Sequence, residues 1–185
     1  MAVPLLVAED LRLEYPTKVI FDSLSVGVEE GDRIGIVGRN GDGKTSLLNL
    51  LSGRIEPQGG KVTRRSDLRV GVLSQGDHLD PNATVARTIV GDRPEHSWAG
   101  DPKVRDVLAG LAEDIPWEAK IGELSGGQRR RVDLAALLVQ DWDVLALDEP
   151  TNHLDVEGIA WLAKHLRRRW PKNDGALLVV THDRW

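Results

Sequence analysis

The pattern of apolar and polar positions divides the chain into a strand-rich first third and a later part with helical periodicity. Within 11–15, apolar residues alternate with charged ones, which predicts a strand with one buried face. The segments 19–21 and 25–28 predict two further short strands separated by turn residues. Residues 33–38 are aliphatic without alternation, as in a strand buried inside a parallel sheet.

A helix is predicted at 44–51, directly after the buried strand at 33–38. Gly53 follows it and is placed to end the helix in a left-handed turn, which glycine adopts without strain. Between 61 and 73 the pattern returns to a further pair of short strands.

The segment 80–120 has a different character, because prolines interrupt short helical patterns there. Helical periodicity is visible at 84–90 and at 103–111. We therefore predict a small helical subdomain inserted into the sheet domain. The prolines concerned are Pro81, Pro94, Pro102 and Pro116.

After this segment, helices and strands alternate to the end of the sequence. Helices are predicted at 126–140 and 156–170, and strands at 144–147 and 176–181. This alternation predicts an α/β fold with a parallel core. A further helix would normally cover the last strand, so the chain is predicted to be a fragment.

Composition narrows the class of protein. The 185 residues suffice for one sizeable domain, and the net charge of −5 differs from that of a dedicated nucleic-acid-binding domain. The longest apolar run, 134–139, is far shorter than the about 20 residues of a membrane span, so no membrane insertion is expected. The absence of cysteine excludes disulfides and thiolate metal sites. With no secretory signal, these features predict a cytoplasmic protein.

A phosphate-binding loop is predicted at 38–45, which fits G-x-x-x-x-G-K-[ST] between a predicted strand and a predicted helix. Glycines let backbone N–H groups surround a phosphate, and the helix N-terminus adds partial positive charge. A glycine-rich turn that matches by chance is the alternative, and the strand–loop–helix context disfavours it. The predicted nucleotide-binding residues here are Gly38, Arg39, Asn40, Gly41, Asp42, Gly43, Lys44, Thr45 and Ser46.

Within this loop and after the strand at 144–147, four side chains suit the chemistry of Mg-nucleotide hydrolysis. Lys44 is placed between the β- and γ-phosphates, and the Thr45 hydroxyl is offered to Mg²⁺. Asp148 is predicted to hold Mg²⁺ through water, while Glu149 orients or deprotonates the attacking water. A solvated acidic turn before Pro150 is the alternative, which the phosphate loop makes the weaker one.

A third motif, Leu-Ser-Gly-Gly-Gln at 124–128, lies at the start of the predicted helix at 126–140. Together with the phosphate-binding loop and the pair Asp148-Glu149, it resembles the motif set of ATP-binding cassette (ABC) ATPases. The resemblance covers nearly the whole chain. It implies an α/β P-loop NTPase fold with a RecA-like parallel core at about 33–58 and 141–185. It also implies an antiparallel β subdomain at about 1–32 and 59–72 and a helical subdomain at about 78–140. Together these parts form a single, incomplete cassette at 1–185. The signature residues are Leu124, Ser125, Gly126, Gly127 and Gln128.

The resemblance further implies that two cassettes close over each ATP, so the signature contacts the γ-phosphate held by a partner cassette. The partner is a second cassette of the same full-length chain or a second copy, and the fragment alone is expected to hydrolyse ATP weakly or not at all. Gln75 and His182 are placed like catalytic residues, Gln75 also as a Mg²⁺ ligand, and Asp155 like a residue coupling the two sites. Tyr15 resembles the aromatic residue that stacks on the base, of ATP or GTP alike, although simple packing is the alternative.

The pair Asn152-His153 and the residues 181–184 resemble the ABC-F branch. The resemblance implies a translation or antibiotic-resistance factor that binds the ribosome and its RNA, with no DNA partner. The second cassette and the linker of that branch are absent from this sequence. The ATP-binding subunit of a membrane transporter is the alternative. A structural or repair ATPase with long coiled coils is disfavoured because no heptad run is present.

Two arginine clusters, 129–131 and 167–169, allow two interpretations. They could contact RNA phosphates, or they could be solvated or structural cations near helix ends. The negative net charge favours the structural interpretation.

Overall fold

The computed structural model describes residues 4–76 and 78–181. This part of the chain divides into two compact units. The first contains the residues up to Gln75, the segment Trp142–Pro150 and the residues from Trp170 onward. The second contains Gly76–Asp141 and Thr151–Arg169.

In its described residues, the first unit contains two β-sheets and one helix. In chain order the elements are β1 (Pro4–Tyr15), β2 (Lys18–Glu29), β3 (Arg33–Ile36), α1 (Lys44–Ser52), β4 (Gly59–Arg64), β5 (Val70–Leu73), β6 (Val144–Asp148) and β7 (Ala176–Val180). The antiparallel sheet has the strand order β2-β1-β4, and the parallel sheet has the order β3-β7-β6-β5.

The antiparallel sheet differs from the sequence prediction, because β2 is one continuous strand and not two short ones. β1 and β2 stay paired from Leu6 opposite Val28 to Tyr15 opposite Lys18. The register shifts between Ala8 and Leu11, but the pairing continues beyond the shift. Pairing with β1 therefore outweighs the turn residues that predict a break between 19–21 and 25–28.

The parallel sheet positions the candidate site. All five residues of β6 are buried, as expected for a central parallel strand. Because parallel strands end at the same edge, the loop after β3 and the carboxylates at the end of β6 emerge together. The predicted α/β fold with a parallel core is confirmed.

One hydrophobic core joins both sheets and α1. It contains Leu5, Leu6 and Leu11 of β1, Leu48 and Leu50 of α1, Ala146 of β6 and Leu178 of β7, each no more than 3% exposed. α1 ends as predicted, with Gly53 at φ 80° and its N–H bonded to carbonyls of the last turn.

The second unit is helical. Its α-helices are α2 (Val85–Val90), α3 (Glu95–Trp98), α4 (Pro102–Leu111), α5 (Gly126–Leu138) and α6 (Val156–Arg168). A short 3₁₀ helix, Ile121–Glu123, precedes α5. α5 packs against both α2 and α4, and α4 also contacts α6.

Two cations stabilise the C-terminal end of α5. The Lys103 ammonium donates to the Gln140 carbonyl at 2.9 Å, and Arg169 donates to the carbonyls of Leu138 and Gln140. Carbonyls beyond the last helical turn lack intrahelical donors and carry partial negative charge. The structural interpretation of the cluster 167–169 is therefore confirmed for Arg169. Among the described residues, no helix is both long and apolar enough to span a bilayer.

Candidate functional site

A cleft of about 490 Å³ lies within the first unit. It contains residues of the loop after β3, of β1 and β2, and of the segments that follow β5 and β6. The lining residues are Tyr15, Ile20, Asn40, Gly41, Gly43, Lys44, Thr45, Ser46, Gln75 and Glu149. The structure thus brings together most of the residues that the sequence predicts to bind a nucleotide.

The loop between β3 and α1 has the backbone conformation that its glycines were predicted to allow. Gly41 and Gly43 have φ values of 83° and 89°, in the left-handed region that other residues adopt only with strain. Gly43 is the N-cap of α1, so the helix begins directly at the loop. A Cβ atom on Gly43 would collide with Ile20, which shows that β2 packs against the loop.

Lys44 lies across this loop. Its ammonium donates to the carbonyls of Gly38 and Arg39, at 2.9 and 3.0 Å. The loop thereby holds the cation at the cleft that Lys44 lines. This is the arrangement in which an ammonium can exchange a carbonyl contact for a phosphate oxygen.

Two of the residues predicted to hold Mg²⁺, Thr45 and Gln75, contact the buried carboxylate of the third, Asp148. Thr45 Oγ1 donates to Asp148 Oδ2 at 2.5 Å, and Gln75 Nε2 lies 3.5 Å from Asp148 Oδ1. Asp148 is only 1% exposed. Hydroxyl, amide and carboxylate oxygens are the ligands that Mg²⁺ prefers, completed by water and phosphate. The donor set therefore fits Mg²⁺ bound with a nucleotide. Within 4–76 and 78–181, no group of three or more His, Cys, Asp or Glu side chains is arranged to hold a metal ion.

Glu149 follows Asp148 in a strained conformation. Its φ is 49°, in the left-handed region that glutamate rarely adopts, and its N–H donates to the Val180 carbonyl at 3.0 Å. The bond to β7 fixes this conformation, and the residue lines the cleft beside Lys44. Strain of this kind persists where the surroundings impose it, often at a functional site.

Tyr15 is the last residue of β1 and lines the cleft. Its side chain is 45% exposed, and its hydroxyl is 3.4 Å from Ser46 Oγ. An aromatic ring that is exposed and hydrogen-bonded at the rim of a phosphate loop can accept a planar base by stacking.

The signature residues belong to the second unit, at the N-terminus of α5. Ser125 Oγ accepts from the Gln128 N–H at 3.2 Å, and the Gln128 side chain accepts from the Ser125 N–H at 3.0 Å. This is a reciprocal capping box. Gly126 and Gly127 occupy the first helical turn, and no atom lies within 4 Å of a Cβ built on Gly126. The first N–H groups of a helix have no intrahelical acceptor, so those of Gly126 and Gly127 can bind an anion.

Asp155 has a local structural role that the sequence prediction did not include. Its Oδ1 accepts from the Gly158 N–H at 2.8 Å, so it is the N-cap of α6. It lines a cavity of about 640 Å³ in the second unit, with His153 and Arg131.

Arg131 forms a paired contact that sequence reasoning missed. Its guanidinium donates to both carboxylate oxygens of Asp114, at 2.5 and 2.8 Å, and to the Leu111 carbonyl at 3.1 Å. The hydrogen bond from Arg131 lowers the pKa of Asp114, and the same bond raises the pKa of Arg131. Arg130 also lies 3.8 Å from Asp133. The structural interpretation of the cluster 129–131 is confirmed for these two arginines.

Two residues have not yet been placed, the predicted His182 and the unpredicted Lys18. His182, predicted as a catalytic residue, lies outside the described residues. Lys18, which the sequence analysis did not select, donates from its ammonium to the Gly41 carbonyl at 2.8 Å. The sequence offers only its position three residues after Tyr15, because the packing of β2 against the loop is visible only in the structure.

Comparison with known proteins gives consistent results. Residues 21–152 match the ABC transporter family. The chain is 32% identical to the ABC transporter ATP-binding protein YfmR of Bacillus subtilis (strain 168), covering 98% of this chain and 34% of that protein. It is 33% identical to the energy-dependent translational throttle protein EttA of Escherichia coli (strain K12), covering 92% of this chain and 37% of that protein.

Solved structures show the same fold. The RNase-L Inhibitor superposes with a TM-score of 0.83 at 31% identity, covering 99% of this chain and 35% of that one. A chain in the complex of archaeal ribosomal stalk protein aP1 and archaeal ribosome recycling factor aABCE1 gives 0.81 at 32% identity, covering 98% and 34%. The chain spans about a third of the length of these relatives. The predicted fold class is confirmed.

Proposed function

The chain belongs to the ABC transporter family of ATP-binding cassettes, and on this premise we propose that it binds Mg-ATP in the cleft of its first unit and hydrolyses it when paired with a second cassette. The observation that carries the proposal is the convergence of Thr45 and Gln75 on the buried carboxylate of Asp148, beside the loop that holds Lys44. These groups match the triphosphate and its cation in charge and in donor type.

The chemistry follows from these positions. The loop N–H groups and Lys44 bind the phosphates, and Tyr15 stacks on the base. Mg²⁺, when bound, neutralises charge that develops on the phosphate oxygens. Glu149 accepts a hydrogen bond from the attacking water and receives its proton, while Gln75 orients that water. The products are ADP and inorganic phosphate.

Pairing is part of the proposal, because the N-terminus of α5 presents an anion site that its own unit does not use. The N–H groups of Gly126 and Gly127 and the Ser125 hydroxyl would bind the γ-phosphate held by a partner cassette. Two half-sites then enclose each ATP, and the chain alone turns over slowly or not at all.

We assign the cassette to the ABC-F branch and to a cytoplasmic role in translation. The support comes from Asn152-His153, which resembles that branch, and from similarity to proteins whose names refer to translation and ribosome recycling. The partner in this assignment is the ribosome with its RNA, which the protein carrying this cassette would contact.

The experiment is polysome profiling with Glu149→Gln in the protein that carries this cassette. The change removes the proton acceptor but keeps the size of the side chain, so ATP stays bound and the protein should accumulate on ribosomes. Glu118→Gln, which changes an exposed carboxylate of the second unit, is the matched control. If Glu149→Gln traps ATP yet never co-sediments with ribosomes, the translation role is rejected while the ATPase assignment stands.

The second candidate is the ATP-binding subunit of a membrane transporter. It is favoured by the family match and by the name of the relative YfmR. In that case the helical segment 80–120 would dock on a membrane domain. The gene distinguishes the two: a second cassette in the same reading frame supports the translation role, and a neighbouring multi-span permease supports the transporter.

A further inference from the structure

The phosphate loop contains an acidic residue, although its ligand is an anion. Asp42 Oδ2 accepts a hydrogen bond from the Arg39 N–H at 2.8 Å, which fixes the carboxylate within the loop. In the proposed complex, the phosphates bound along residues 38–45 would share the loop with this carboxylate. Like charges repel, and a nearby cation reduces that repulsion.

Lys18 supplies a cation at this position. It is the first residue of β2, and its ammonium lies 3.7 Å from Asp42 Oδ1. The same ammonium donates to the Gly41 carbonyl at 2.8 Å. One side chain thus contacts both the acidic residue and the backbone of the loop.

The closeness of β2 to the loop does not depend on Lys18 alone. A Cβ atom on Gly43 would collide with Ile20 and would lie 3.0 Å from Phe21 Cζ. These β2 residues therefore fix the distance between the strand and the loop. Lys44 does not take this role: its ammonium donates to the carbonyls of Gly38 and Arg39, and in the proposed complex it binds the phosphates.

We propose that Lys18 is a positioning residue for the nucleotide phosphates: it offsets the charge of Asp42 and holds the Gly41 carbonyl, so that the carboxylate repels the phosphates less. This inference rests on the proposed nucleotide binding. Both side chains are about half exposed, at 53% and 48%, so the electrostatic effect is moderate and sensitive to salt.

The test is equilibrium binding of radiolabelled ATP with Mg²⁺ to four proteins: the unaltered chain, Lys18→Met, Asp42→Asn and the double variant. Lys18→Met should weaken ATP binding by about three- to tenfold at low salt, and the loss should shrink at high salt. In the Asp42→Asn background, the same change should cost less than about twofold, because the charge to be balanced is gone. Lys18→Arg keeps a cation at this position and should bind ATP almost as tightly as the unaltered chain.

Lys61→Met is the matched control. Its ammonium forms an exposed ion pair with Glu9 at 3.0 Å in the same unit and does not line the cleft. Should Lys18→Met prove unfolded, Lys18→Gln is measured in its place.

The outcomes separate the two proposals. If the unaltered chain fails to bind ATP, the proposed function is rejected. If it binds ATP and Lys18→Met binds equally well, only the inference on Lys18 is overturned. If Lys18→Met weakens ATP binding by the same factor whether residue 42 is Asp or Asn, the inference is also overturned, because Lys18 would then act independently of the carboxylate.

Discussion

Thr45 Oγ1 donates a hydrogen bond of 2.5 Å to Asp148 Oδ2, which joins the start of α1 to the end of β6. The two residues are 103 positions apart in the sequence, yet they form one oxygen-rich site. The bond orients a buried carboxylate before any cation arrives. Preorganisation of this kind lowers the entropic cost of binding.

Asp148→Asn should weaken Mg²⁺ binding in the presence of ATP, because the amide removes the negative charge that Thr45 and Gln75 contact. We expect the Mg²⁺ concentration that half-saturates ATP binding to rise by about 10- to 100-fold. ATP titrations at a series of Mg²⁺ concentrations measure this. Asp22→Asn, at an exposed ion pair with Arg12, is the control. An unaltered Mg²⁺ midpoint in Asp148→Asn would remove this residue from the metal site.

Lys44→Ala should reduce ATP affinity by at least about 10- to 100-fold, because a charge-assisted hydrogen bond to the phosphates is lost. Isothermal titration calorimetry with Mg-ATP measures the effect, and Lys61→Ala should bind like the unaltered chain. Unchanged affinity in Lys44→Ala would mean that the loop does not bind the phosphates.

Local signals in the sequence predicted the elements that depend on neighbouring residues. α1 begins after the glycine loop and ends at Gly53 because both boundaries rest on backbone conformations that glycine allows. The pattern S-x-x-Q at Ser125 and Gln128 likewise indicates a helix N-terminus. The phosphate loop was predictable for the same reason, since its motif carries its own strand–loop–helix context.

Features that depend on distant partners could not be predicted in this way. β2 continues through its irregular middle because β1 pairs with it along most of its length. The contact of Lys18 with Gly41 joins residues 23 positions apart, and no periodicity indicates it. The bidentate contact of Arg131 with Asp114 depends on how α4 and α5 pack. The positive φ of Glu149 is likewise imposed from outside its own segment, by the bond to β7.

The pairing of cassettes can be tested by mixing two inactive variants. In a dimer, a chain with Lys44→Ala can still supply its signature, and a chain with Gly126→Asp can still supply its phosphate loop. An aspartate at 126 has space and suits a helix N-terminus, but it would repel the γ-phosphate.

We expect each variant alone to hydrolyse no ATP above background and the mixture to regain activity, measured as phosphate release at high protein concentration. Two separate preparations of Lys44→Ala serve as the mixing control. A measurable ATP turnover per chain that stays constant at every concentration of the unaltered chain would contradict the need for a partner.

The ion pair of Asp114 and Arg131 should make a small, pH-dependent contribution to stability. The hydrogen bond from Arg131 lowers the pKa of Asp114 in the folded state. The contribution is therefore complete above the unfolded pKa of about 3.9 and is lost as the pH falls through the lower folded value. Because the Asp114 side chain is 63% exposed, solvent screening limits the effect to about 1 kcal/mol or less.

Asp114→Asn should lower the free energy of unfolding at neutral pH by this amount, and the difference from the unaltered chain should vanish in acid. Urea titrations at several pH values measure it. Asp22→Asn provides an exposed pair of similar chemistry, whose loss should have almost no effect. A constant difference at all pH values would show that Asp114 does not act through its charge.

His165 in α6 should make the second unit less stable as the pH falls below neutral. Its Nδ1 is 3.1 Å from Asp106 Oδ2, its ring stacks on Trp161, and its Nε2 is buried with no hydrogen-bond partner among the described residues. Burial lowers the pKa of His165 despite the opposing effect of Asp106, and the positive charge of Arg169 lowers it further.

Because the folded pKa lies below the unfolded value of about 6.5, the unfolded chain binds more protons in the interval between them. Stability is therefore complete above the unfolded pKa and decreases as the pH falls toward the folded value. His165→Phe keeps an aromatic ring against Trp161 and removes the titrating group, so it should flatten this slope in urea titrations between about pH 7.5 and about pH 5.5. His96→Phe, at an exposed position of α3, should leave the slope unchanged. If His165→Phe retains the full slope, the pH dependence originates elsewhere in the chain.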